Sequence, residues 1–213
     1  MSAIRVAIAD DQSLFCAGIE MLIESQGDLE FAGAAEDGRA AVQLARSARP
    51  DVLLMDIRMP RLDGIAATAT IRGDLGDSGP RIIVLTTFER DQAVAAALRA
   101  GADGFILKDT TPQFLLSALR TVHEGHAVIA PKATTDLFRT LARRRPEAIE
   151  ALSVREKEVF LLAARGLNNG EIGQTAFISE ATVKSHVRSI LAKLGLASRV
   201  QLVAFAYENG LVR

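Results

Sequence analysis

The 213-residue chain predicts an α/β domain built on a parallel sheet, followed by an all-helical domain. Three observations carry this reading. Short apolar, β-branched runs alternate with helix-period segments through residue 124. No strand pattern appears after residue 148. The charge changes over the same boundary: formal net charge is −6 for residues 1–124, +4 for residues 125–145 and +1 for residues 146–213. An acidic front can hold a cation, and a locally basic rear can approach nucleic acid.

The strands are expected at 4–9, 29–35, 52–57, 81–87 and 104–107, and the helices at 13–25, 38–47, 65–72, 91–100 and 112–123. Five strands, each followed by a helix, argue for parallel pairing with both sheet faces covered. The runs Val52–Met55 and Ile82–Leu85 do not alternate, as expected of central strands buried on both sides. Residues 125–147 read as a linker with one helix at 134–142 and the basic run Arg143–Arg145. Residues 148–213 carry helical segments at 153–165, 169–176, 180–194 and 198–209, separated by Gly166, residues 177–179, Gly195 and Gly210. The division is therefore 1–124, 125–147 and 148–213.

Composition narrows the class. With 49% hydrophobic and 24% charged residues, the chain has an ordinary globular balance. The longest stretch lacking Asp, Glu, Lys and Arg is residues 110–119, against the ~18 that a membrane-spanning helix needs. Asp10 and Asp11 arrive too early for a signal-peptide apolar core. The lone Cys16 excludes an internal disulfide and any multi-cysteine metal site, and nothing basic flanks it to favour a thiolate. A cytoplasmic protein without membrane association is expected.

In an open parallel sheet, ligands bind beyond the carboxyl ends of the strands. The groups there are Asp10 and Asp11, Asp56, Thr86 and Thr87, and Lys108. A single strand-end aspartate ordinarily caps a helix. Together these groups have a shared use. Clustered carboxylates suit Mg²⁺, a carboxylate can attack phosphorus, and a hydroxyl and an ammonium can bind the remaining phosphoryl oxygens.

The segments ADDQ (9–12), LMDIRMPRLDG (54–64), VLTT (84–87) and GADGFILKD (101–109) resemble the receiver domain of bacterial two-component response regulators. The resemblance implies a flavodoxin-like five-stranded sheet of order 2-1-3-4-5. It makes Asp56 the phosphoacceptor. Asp11 would ligate Mg²⁺ directly, Asp10 mainly through water, and the backbone carbonyl of Arg58 would be a further ligand. Thr86 would hydrogen-bond the phosphoryl group, Lys108 would pair with it, and Phe105 would be the switch aromatic that turns inward on activation. Pro60 and Gly64 would shape the loop after Asp56. Asp109 follows the lysine where many members have proline, and Arg58 and Phe88 hold the positions that tune phosphate lifetime in the family.

In the rear domain, the segment 171–194 has helix–turn–helix spacing. Ser179 is a natural N-cap for its second helix, and Glu180 suits that helix's positive end. Val183, Val187, Ile190, Leu191 and Leu194 form one apolar stripe, while Lys184, Ser185 and Arg188 share the opposite face. An amphipathic surface helix has the same pattern; a basic free face on a helix of ~15 residues also fits the major groove. The segments LSVREKEV (152–159), ARGLNNGEI (164–172) and ISEATVKSHV (178–187) resemble the LuxR-type helix-turn-helix domain. The whole chain thus resembles NarL/FixJ-type response regulators. By that resemblance Lys184, Ser185 and Arg188 face bases or nearby phosphates, Thr182 and His186 lie near the DNA backbone, and the final helix pairs two DNA-binding domains. Gly173 and Ala176 depart from the usual alanine and leucine. A glycine inside a helix costs ~1 kcal/mol relative to alanine, so the first helix of the motif is expected to be weak.

The implied function is a phosphorylation-controlled transcriptional regulator. Its partners would be a sensor histidine kinase, promoter DNA and, on activation, a second copy of the chain. The apolar surplus on the first helix (Leu14, Phe15, Ile19, Leu22, Ile23) and on helix 112–123 (Phe114, Leu115, Leu116, Leu119, Val122) nominates those two helices for pairing. The receiver would catalyse only its own phosphoryl transfer. Two alternatives stay open here. A Mg²⁺-dependent phosphohydrolase would need a second carboxylate two residues past the nucleophile, where Arg58 stands. A phosphorylation-independent docking module would not need the intact acidic set.

Overall fold

A computed structural model describes residues 3–87, 96–126, 128–129, 146–209 and 211–212. The expected helix at 134–142 and residue Phe88 lie outside the described residues, as does most of the segment 91–100, of which residues 96–99 are helical. The first domain runs β1 (Ile4–Ala9), α1 (Ser13–Glu24), β2 (Leu29–Ala35), α2 (Gly38–Ala48), β3 (Val52–Asp56), α3 (Gly64–Leu75), β4 (Arg81–Thr86), β5 (Gly104–Leu107), α4 (Pro112–His123) and β6 (Val128–Ile129). All strand pairings are parallel, in the order β2-β1-β3-β4-β5-β6. The five expected strands stand in the expected order. The sixth is an addition: residues read as linker pair Val128 and Ile129 with Gly104 and Phe105. A two-residue strand carries no periodicity to detect. It covers backbone groups that β5 would otherwise leave bare at the sheet edge.

The strand period of two sorts the core. Val6, Ile8, Val52, Leu54, Ile83, Leu85 and Ile106 pack on one face with α1 and α4. Ala7, Ala9, Leu53, Met55, Ile82, Val84 and Phe105 pack on the other with α2, α3 and the turn at 96–99. Each wholly buried Ile or Leu stabilises by ~1.5–3 kcal/mol, which is why the sheet centre tolerates no polar residue. Helix starts are set by side-chain caps: Asp37 accepts from Ala40 N at 2.7 Å, Asp63 from Ala66 N at 2.8 Å, and Thr111 from Phe114 N at 3.3 Å with Pro112 behind it.

The second domain opens with a 3-10 turn (Pro146–Ala151) and continues as α5 (Val154–Ala164), α6 (Asn169–Ala176), α7 (Glu180–Leu194) and α8 (Arg199–Glu208). Ser153 with Glu156, and Asn168 with Glu171, form reciprocal capping boxes on α5 and α6. Val159, Phe160, Ile172, Val183, Ile190 and Phe205 centre its core, with the Phe160 and Phe205 rings edge to face at 6.2 Å. Among the described residues no single helix is long and apolar enough to cross a membrane.

The two domains touch. Val200, on the first turn of α8, is 1% exposed and belongs to the same buried cluster as Leu98, Ala102 and Phe105 of the first domain. Beside it, Gln201 Nε2 donates to the Leu98 carbonyl at 2.6 Å.

Candidate phosphoacceptor site and DNA-binding face

The sheet order reverses between β1 and β3, which opens a crevice at their carboxyl ends. Asp10 and Asp11 follow β1 directly, and Asp56 is the last residue of β3. One carboxylate oxygen from each lies within 4.8 Å of the others, with Asp10 and Asp56 buried and Asp11 exposed. Lys108 follows β5. Its backbone N–H donates to the Thr86 carbonyl at 2.8 Å, and its Nζ stands 2.6 Å from Asp10 Oδ2 and 3.1 Å from Asp56 Oδ2. Phe15 of α1 supports the ammonium, its ring centroid 5.0 Å from Nζ. Thr86 is buried at the end of β4. Arg58 is exposed two residues beyond Asp56.

The loop after Asp56 is held by backbone. Gly64 N donates to the Ile57 carbonyl at 3.0 Å, and a Cβ on Gly64 would lie 1.8 Å from the Asp56 carbonyl oxygen. Only glycine lets α3 begin this close to the strand end.

Electrostatics follows from the crowding. Burial pushes the Asp56 carboxyl above its ordinary range; Lys108 opposes this and Asp10 adds to it. Burial alone would pull Lys108 down, but its contacts with Asp10 and Asp56 outweigh it and leave it raised. One ammonium faces three carboxylates. Asp10 Oδ2 is sealed from solvent and, despite its nearness to Lys108, accepts no properly directed hydrogen bond. A hard divalent cation fits this oxygen-only, over-acidic donor set. Burial, with Asp10 nearby, raises the Cys16 thiol as well, which removes it from redox candidates.

Phe105 is wholly buried in β5, in the cluster that includes Val200. The ring that the resemblance names as a switch is therefore already inside in this arrangement. Sequence reasoning missed Phe15 and the buried Asp103. Asp103 accepts from Ile82 N at 2.9 Å, from Arg72 Nη2 and from Arg81 Nη1 at 3.2 Å, tying α3 to the starts of β4 and β5. Nothing in the local sequence marks it, because its partners lie 21 to 31 residues away.

In the second domain, α6, the turn at 177–179 and α7 form a helix–turn–helix. Val183, Ile190 and Leu194 of α7 are buried, while Thr182, Lys184, Ser185 and Arg188 are exposed and His186 is half-buried. Ser179 caps α7 as expected, accepting from Thr182 N at 3.1 Å. Glu156 anchors the helix from α5, accepting from Ser189 Oγ at 2.6 Å and Lys193 Nζ at 2.7 Å; these bonds hold its carboxyl down to about 2. α6 spans the expected residues, and Ile178 N donates to the Gly173 carbonyl at 3.0 Å. A Cβ at 173 would lie 2.8 Å from the Ile178 carbonyl oxygen, so glycine permits the tight turn between the two helices. Though exposed, Lys184, Ser185 and Arg188 do not stand clear of the first domain. They line a cleft of about 470 Å³ whose other wall is Arg72, Arg81 and Asp103 of the first domain.

The comparisons with known proteins agree with this geometry. Residues 6–120 match the family described as the response regulator receiver domain, and residues 150–206 match the bacterial regulatory proteins of the luxR family. The chain is 41% identical to the uncharacterized transcriptional regulatory protein YxjL of Bacillus subtilis, covering 99% of this chain and 98% of that one. It is 36% identical to the response regulator protein VraR of Staphylococcus epidermidis, covering 99% and 100%. Among solved structures, RcsB of Salmonella typhimurium aligns with a TM-score of 0.58 at 27% identity, over 97% of this chain and 99% of that one. The paired acidic pocket and helix–turn–helix, in this order on one chain, thus belong to a two-component response regulator of the NarL/FixJ type, a transcription regulator with a receiver and a LuxR-type DNA-binding domain.

Proposed function

We propose that this regulator accepts a phosphoryl group on Asp56 from the phosphohistidine of a sensor kinase, and that this frees the rear domain to bind promoter DNA as a dimer. The observation that carries the reading is the placement of the Asp56 carboxylate beside Asp10, Asp11 and Lys108 at the sheet's switch point. An Asp56 oxygen attacks phosphorus, a P–O bond forms, the P–N bond to the donor imidazole breaks, and the imidazole leaves. Asp10, Asp11, Asp56 and the Arg58 backbone carbonyl would hold Mg²⁺, which supplies positive charge against the transferring phosphoryl oxygens. Lys108 stands ready to pair with the new phosphoryl group, and Thr86 to donate its hydroxyl. The receiver catalyses only this transfer and its own hydrolysis, and the protein acts in the cytoplasm.

Two features support control by domain separation. A duplex is far larger than a cleft of about 470 Å³, so the receiver wall opposite Lys184, Ser185 and Arg188 would obstruct the approach of α7 to a groove while the domains stay closed. The cluster holding Phe105 also holds Val200, so a change in the packing of that ring would disturb the surface on which α8 is docked. A solved structure of RcsB is a complex with DNA, which supports the same role for α7 here once exposed. For pairing, most of the apolar surplus on α1 and α4 proves to be core: Ile19, Ile23, Leu115, Leu116, Leu119 and Val122 are buried. Leu14, Met21 and Phe114 remain exposed on the two helices, and they mark the surface proposed to meet a second copy.

The test is incubation with Mg²⁺ and acetyl phosphate, read by intact mass. One covalent phosphoryl group on the wild type and none on Asp56→Asn is expected. Equal labelling of the variant overturns the assignment. Sedimentation with beryllofluoride and Mg²⁺ reads the dimer.

A further inference from the structure

We propose that the interdomain cleft is a binding site for a small phosphate-bearing anion that holds the two domains together. The cleft's volume, about 470 Å³, lies within the ~300–1,000 Å³ of small-molecule pockets. Its lining carries five cationic side chains, Arg72 and Arg81 from the receiver and Lys184, Arg188 and Arg199 from the rear domain. Asp103 is the single acidic residue of that lining, and Arg72 and Arg81 already share it. Lys184 reaches outside the lining to Glu180 at 2.9 Å.

Arg199 is the informative residue. Its hydrogen bonds go to neutral acceptors, the Asn169 side-chain oxygen at 3.0 Å and the Leu167 carbonyl. Burial, and next the nearby charge of Arg81, pull its guanidinium down to about 10, with Glu171 opposing. Two like charges from different domains are thus brought together in a half-enclosed polar space. Arg81 keeps side-chain donors in reserve there: among the described residues its guanidinium bonds to Asp103 alone, through Nη1. Guanidinium groups that line one cleft from both domains can each donate to a tetrahedral oxyanion, which accepts from several donors at once. An anion so placed offsets the repulsion between the domains and favours the closed arrangement. The consequence for DNA rests on the DNA-binding reading above; the anion site itself does not.

The experiment is calorimetric titration of the full chain with inorganic pyrophosphate, without divalent metal and at fixed ionic strength in chloride, so that the acidic site repels the probe. Saturable binding at one site is expected. It should weaken about tenfold or more in Arg81→Gln and in Arg199→Gln, and persist in Asp56→Asn. Circular dichroism checks each fold, and Arg81, half-exposed at the start of a strand, decides the matter if Arg199→Gln does not fold. A parallel titration with adenosine diphosphate separates the sources: tighter binding than pyrophosphate supports a nucleotide, and equal binding supports the phosphate groups alone. Absent heat, or affinity indifferent to both arginine variants, overturns the proposal. A separate operator titration should show pyrophosphate weakening DNA binding in the wild type and not in Arg81→Gln, so a failure of the DNA reading is distinguishable from a failure of the site.

Discussion

Gln201 donates its side-chain amide to the carbonyl of Leu98, 103 residues earlier in the chain, at 2.6 Å inside the domain interface. The same side chain's oxygen accepts from Ala197 N at 2.9 Å. One residue therefore both organises the start of α8 and fastens it to the receiver.

These two jobs can be separated. Gln201→Glu keeps the acceptor toward Ala197 but turns a carboxylate on the Leu98 carbonyl. Losing a buried neutral hydrogen bond costs ~1 kcal/mol, and an opposed charge costs more. Operator affinity of the unphosphorylated protein should rise at least about fivefold, since the open fraction grows by that factor. Fluorescence anisotropy at fixed salt reads it, and Asp56 should still accept one phosphoryl group. An unaltered affinity would show that this contact does not restrain the rear domain.

Lys184→Ala should weaken operator binding while leaving phosphorylation intact. If Lys184 meets a phosphate, the slope of log affinity against log salt should shrink by about one unit. Arg188→Ala is expected to cost ~1–3 kcal/mol if its guanidinium reads a base edge. Affinities of both variants equal to wild type would remove α7 from the groove.

Gly173→Ala tests a reversal. Helix propensity alone favours alanine by ~1 kcal/mol. The added Cβ would press on the Ile178 carbonyl oxygen at 2.8 Å, in backbone that cannot swing aside. Overpacking of this kind costs ~1–3 kcal/mol, so the variant should melt at lower temperature. A higher melting temperature would restore the propensity argument.

Glu156 predicts an acid dependence. Its carboxyl is depressed from 4.5 to about 2 by Lys193, Ser189 and the Ser153 backbone. A depressed acid stabilises fully above its unfolded value, and the contribution fades as pH falls from about 4.5 toward about 2. Thermal melts of the wild type should therefore lose stability across that window. Glu156→Gln should start lower at neutral pH and vary less over the same range. Parallel curves for the two proteins would assign the acid sensitivity elsewhere.

Much of this was legible before the structure because the signals are local. The unbroken apolar runs of β3 and β4 gave both strands within a residue, and strand ends located Asp10, Asp11, Asp56, Thr86 and Lys108. The helix cap at Ser179 is read from a neighbour three residues away. What escaped is long-range. Asp103 has no meaning until Arg72 and Arg81 are beside it, and Phe15 becomes a support for Lys108 only when α1 crosses the β5 end. The close approach at Gly173 was not legible, because propensity describes an isolated helix and the Ile178 carbonyl lies beyond its end.

The short strand β6 has a mechanical consequence. It anchors the chain to the receiver as far as Ile129, and the rear domain begins at Pro146. The sixteen residues 130–145 span at most ~55 Å when fully extended. Confinement to a sphere of that radius gives each domain an effective local concentration of its partner on the order of 1 mM. A grip that two separate molecules would barely notice is then enough to keep most of the population shut. On the proposed mechanism the signal would then have little to overcome: a modest loss of grip, a few multiples of thermal energy, would convert a silent regulator into a competent one.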